Sequence, residues 1–167
     1  GTQITTYTDI VSDSIITAAS LKFTTTRSQP IPACAAVPQT YGGPAPEWNG
    51  LGWSAQTTTG ALCYPLTVAY ADTIQGWGIY IQKTSASGTI SGQLQRMDSS
   101  TGTVTNIGAV VSNSANNPGY ATLIRGGLTE LVASPAYSYQ ILCVGGGVSA
   151  GGGGDLFLGG YFQFKRG

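Results

Sequence analysis

In TIQGWGIYIQK, residues 73–83, Trp77, Ile79 and Ile81 recur at every second position, with Gly78 and Tyr80 between them. A period of two is what a half-buried strand requires, because successive side chains leave a strand on opposite faces. GTISGQLQRMD continues the pattern, placing Ile90 and Leu94 inward and Thr89, Ser91, Gln93 and Gln95 outward. In AYSYQILCV, Tyr137, Tyr139, Ile141 and Cys143 alternate with Ser138, Gln140 and Leu142. DLFLGGYFQFKR sets Phe162 and Phe164 on one face and Gln163 on the other.

Between these runs lie breakers. Residues 4–27 mix strand-like runs without Gly or Pro, whereas residues 29–53 hold five prolines. Proline cannot donate to a ladder, so an irregular excursion across the surface is expected there, able to act as an extended arm. ALCYPLTVAYA reads as an apolar strand broken at Pro65. KTSASGT and DSSTGT carry hairpin chemistry, polar turn residues with a Gly able to take positive φ. SNSANNPG is a longer polar loop. VGGGVSAGGGG, residues 144–154, lies between two alternating strands and reads as the tip of the last hairpin, either mobile or packed against a neighbour. Eight or more short strands with such turns, and no repeat at a fixed period, predict an all-β fold. The expected form is an antiparallel β-sandwich of the jelly-roll kind, a single domain over residues 1–167.

Composition supports strands and removes partners. Only 8% of the residues are charged, against about 25% in an ordinary domain. Seven basic and seven acidic side chains cancel. Seven scattered cations cannot form the stripe that displaces counterions from nucleic acid, nor bind an anionic membrane surface. No apolar run approaches the ~20 residues of a spanning helix. GTQITTYTDIV has neither the basic start nor the apolar stretch of a signal peptide, although secretion stays open as an alternative. Cys34, Cys63 and Cys143 lack any CxxC spacing; three buried thiols in a reducing cytoplasm are expected, with a Cys34–Cys63 bridge as the other option.

Candidate chemistry is sparse. There is no histidine, which removes Ser-His-Asp and Cys-His catalysis and the commonest metal ligand together. Of seven carboxylates most sit in turns, and Glu47 and Glu130 are the pair least easily explained that way. GGGVSA satisfies G-x-G-x-x-A, but GGGGD follows where a helix N-terminus would have to meet the phosphates, so nucleotide binding is rejected. DIVSD offers two calcium ligands without the spacing of a calcium loop. The expectation is no enzyme, no cofactor and no metal. Aromatics are the remaining lead: Tyr41, Trp48 and Trp53 lie in the Pro/Gly-rich stretch, where they can plug the sandwich, anchor a protein interface or stack on sugar rings.

GWGIYIQKTSASGTISGQLQRMDSSTGTVTNIG, residues 76–108, resembles the sandwich domains of tailed-bacteriophage virion proteins: capsid decoration (cement) proteins, head fibres and tail-fibre tips. The likeness lies in short Thr/Ser/Gly strands, few charges and the TGTVT hairpin, spans roughly residues 60–167, and carries over no site residue. It implies a non-enzymatic structural protein of the virion, assembled in the host cytoplasm. Its implied partners are copies of itself in a homotrimer and a major capsid or tail protein. The competing expectation is a carbohydrate- or receptor-binding module, which requires Trp48 and Trp53 to be exposed and coplanar.

Overall fold

A computed structural model describes residues 25–39, 46–55, 60–84, 88–114, 119–145 and 154–167. Twelve strands run through them: β1 Arg27–Ile31, β2 Val37–Gln39, β3 Glu47–Trp48, β4 Trp53–Ala55, β5 Ala61–Leu66, β6 Thr73–Lys83, β7 Ile90–Asp98, β8 Thr103–Asn113, β9 Gly119–Arg125, β10 Glu130–Leu131, β11 Tyr137–Val144 and β12 Asp155–Lys165. The only helical element among the described residues is a 3₁₀ turn, Ala33–Ala35. All pairings are antiparallel, in two sheets packed on each other. The fold is an all-β sandwich, as the alternating pattern predicts.

Sheet I is built around the long β6–β12 pair. β9 and β10 flank β6, while β1 and the β3–β4 hairpin flank β12. Sheet II runs β2-β5-β11-β7-β8. Trp77, Ile79 and Ile81 point from β6 into the core, where they meet Ile90 and Leu94 of β7, Tyr139 and Ile141 of β11, and Phe162 of β12. Each such side chain removed from water contributes about 1.5–3 kcal/mol, so the alternating faces of these four strands hold the sheets together.

Several turns differ from expectation, because hydrophobic periodicity locates strands without saying which sheet each joins. KTSASGT joins β6 of sheet I to β7 of sheet II and is therefore a crossover between layers, not a hairpin. The glycine run likewise connects β11 of sheet II to β12 of sheet I, so it is not a hairpin tip; residues 146–153 lie outside the described residues. DSSTGT does close the β7–β8 hairpin, with Gly102 at φ 70° and Asp98 Oδ1 accepting from the Ser100 amide at 2.9 Å. β5 continues through Pro65, which is paired with Gln140 of β11 and lies beyond the last β5 residue paired to β2, where that side of the strand has no ladder to interrupt. The stretch 4–24 lies outside the described residues.

The Pro/Gly-rich stretch is not an irregular excursion where it is described. β1 pairs along β12, β2 along β5 and β4 along β12. Pro30 and Pro38 are accommodated because β1 and β2 are edge strands. Gln93 is a further difference. It keeps its outward phase between inward Gly92 and Leu94, yet it is buried: a register shift sets extra β8 residues opposite it, and its amide donates to the carbonyls of Leu94, Ile107 and Gly108 at 3.2, 3.0 and 3.1 Å.

Candidate functional site

Trp48 and Trp53 come together across the β3–β4 hairpin as direct partners in the ladder. Asn49 shapes the tip, its side-chain oxygen accepting from the amides of Leu51 and Gly52 at 3.0 Å each. The two indoles meet edge to face, with centroids 5.8 Å apart and planes at 69°. Trp53 is half-buried against the core, and its Nε1 donates to the Ala33 carbonyl at 3.1 Å. Trp48 is exposed, as is Leu51 at the tip. This arrangement is not the coplanar platform that sugar stacking by these two rings requires. Trp53 plugs the sandwich edge, while Trp48 and Leu51 form a small apolar projection. Tyr41 lies outside the described residues.

A larger apolar surface occupies the outer face of sheet I. The register places Tyr120, Thr122 and Ile124 of β9 beside Gln82, Tyr80 and Gly78 of β6, and Gly78 beside Tyr161 of β12. None of these side chains is charged. Tyr120 is 76% exposed and Ile124 58%, and the rings of Tyr80 and Tyr161 lie 6.1 Å apart. The signal for this face was present in the sequence: Tyr80 and Tyr120 are large side chains at outward positions of alternating strands. Reading alternation only for its buried half passes over them.

Next to this face, at its Gln163 end, lies an open recess of about 470 Å³ lined by Thr26, Gln75, Gly127, Leu128, Thr129 and Gln163. The register between β6 and β12 shifts so that Gln75 is an extra residue between Ile74 and Gly76. The amide of Leu128 donates to the Gln75 carbonyl at 2.9 Å, which holds loop 126–129 over this bulge.

The remaining candidates resolve into structure. Glu130 of β10 joins the two sheets: its Oε1 accepts from Arg96 Nη1 and from Tyr139 Oη, each at 2.9 Å. Arg96 in turn lies 4.6 Å over the Tyr137 ring. Burial first, and then the Glu130 carboxylate, raises the Tyr139 pKa. Glu47 and Glu130 stand at opposite edges of sheet I, roughly 19 Å apart across the strands and roughly 26 Å along them, too far to flank one glycosidic bond. Among the described residues no group of three or more His, Cys, Asp or Glu could hold a metal ion, and no helix is long and apolar enough to cross a membrane. All three thiols are free, and Cys34 is exposed where burial was expected, because the 3₁₀ turn carries it outside the core.

Comparison with known proteins adds no relative: no family model, curated protein or solved structure matches this chain.

Proposed function

We propose that this chain is a non-enzymatic structural protein of a virus particle, a capsid decoration or fibre component that works through protein–protein contacts. The observation that carries the reading is the placement of two exposed apolar patches at opposite edges of sheet I. One ladder row runs Tyr120, Gln82, Leu156, Ser54, Glu47, with Trp48 next in line. It joins the Tyr120 patch to the Trp48–Leu51 projection over four strand spacings, about 19 Å.

A closed ring of three copies needs two different patches on each copy, since its interfaces are head-to-tail. Tyr120, Ile124 and Tyr80 on one edge, and Trp48 and Leu51 on the other, supply such a pair. None of these five side chains carries a charge, so burying them does not itself strip a charge of water. The occupant of both patches is therefore another copy of this chain, and a capsid or tail protein is met by the assembled trimer.

The finer description of the sandwich as a jelly roll belongs to the same reading. It is supported by the strand orders β1-β12-β6-β9 and β5-β11-β7-β8, in which successive strands of these eight change layer except at the β7–β8 hairpin, and the first pairs with the last. Deleting residues 29–52 would remove β2, β3 and most of β1, so it would test folding, not assembly. The discriminating experiment is to locate the chain in purified virus particles by mass spectrometry and cryo-EM. Fixed copy numbers at symmetry-related positions are expected, and absence from intact particles would overturn the reading.

A further inference from the structure

The recess over the Gln75 bulge is built from groups of one chemical kind. Gln75 and Gln163 each present an amide with both donors and an acceptor, and Thr26 and Thr129 present hydroxyls that do both. Its volume of about 470 Å³ falls within the range of about 300–1,000 Å³ typical of small-ligand sites. No charged side chain lines it, so a phosphate, carboxylate or ammonium group would enter without a counter-charge. Leu128 supplies an apolar wall.

The recess is also preorganised. The bulge re-aims Gln75, as bulges beside functional sites do. Thr26 Oγ1 donates to Gln75 Oε1 at 2.7 Å, which fixes the amide with its nitrogen end available to donate. Beside Gln75, Gly76 leaves room for Gln163: a Cβ there would stand 2.7 Å from the Arg125 carbonyl oxygen and 3.3 Å from Gln163 Oε1.

We infer that this recess binds a neutral saccharide. Vicinal hydroxyls both donate and accept, which matches paired amides and threonines, and the C–H face of a pyranose packs on the Leu128 wall. The site is separate from Trp48 and Trp53, and it goes beyond the assembly role proposed above.

Saturation-transfer NMR on the full chain tests this with glucose, galactose, mannose and N-acetylglucosamine, and with glucose 6-phosphate and N-acetylneuraminic acid as charged probes. At least one neutral sugar is expected to bind, and the charged probes are expected not to. Gln75→Leu and Gln163→Leu should each weaken binding about tenfold, the loss of roughly one hydrogen bond. Trp48→Ala should leave it unchanged. Circular dichroism confirms folding of each variant, and native mass reports separately on assembly. Binding by none of the neutral sugars, or equal binding by the glutamine variants, would overturn the inference.

Discussion

Tyr161 of β12 lays its ring over the backbone of its cross-strand partner Gly78, so that a Cβ at position 78 would stand 2.6 Å from the ring edge. The tyrosine thus fills the gap that a glycine leaves in β6, and it also joins Tyr80, Thr122 and Ile124 in the uncharged patch on the outer face of sheet I. Strand stability and surface character rest on the same pair.

Gly78→Ala should therefore leave the fold intact but displace the ring, since the clash is with a side chain that can rotate away. A cost of about 1 kcal/mol is expected. The ring resonances of Tyr161 in NMR should shift, with the core resonances of Phe162 and Trp77 unchanged. An unmoved Tyr161 would show that the close approach is not what holds it.

Gln93 makes a sharper stability prediction. Its buried amide serves the carbonyls of Leu94, Ile107 and Gly108 at the β7–β8 bulge. Gln93→Ala leaves these acceptors without that donor and should cost about 1–3 kcal/mol in chemical denaturation. A neutral result would mean that water replaces the amide and the bulge is not sealed by it.

The thiols should separate by reactivity. Cys34 is exposed, whereas burial pushes Cys63 up to about 11 and raises Cys143 as well. At pH 8 a maleimide should label Cys34 rapidly and the other two only on unfolding. Both buried groups have folded pKa values above their unfolded values. Their contribution to stability is therefore complete below the ordinary thiol pKa of about 8.5 and is lost as pH rises toward 11. Denaturation midpoints across that range should fall, and Cys63→Ser should flatten part of the fall.

What the sequence made legible was whatever depends on period and residue type. Trp77, Ile79, Ile81, Leu94, Ile141 and Phe162 are buried as their spacing requires. What escaped was whatever depends on which strands become neighbours. Nothing in KTSASGT distinguishes a hairpin from a crossover. Nothing local to Gln75 or Gln93 announces a bulge, since a bulge is a mismatch between two strands distant in the chain. The edge-to-face angle of Trp48 and Trp53 and their different exposure follow from a hairpin that proline and glycine content obscured. The recess combines residues from four separate stretches of chain, so no single stretch could signal it.

The central claim, head-to-tail assembly through opposite edges of sheet I, is tested most directly by native mass measurement on the chain, on Tyr120→Asp, on Trp48→Asp, and on an equimolar mixture of the two variants. The account predicts three times the 17.1 kDa chain mass for the unaltered protein. Each variant should be a monomer, because each lacks one of the two patches. The mixture should form a heterodimer through the single interface that remains intact. A monomeric unaltered chain, or a trimer that survives either substitution, would contradict it.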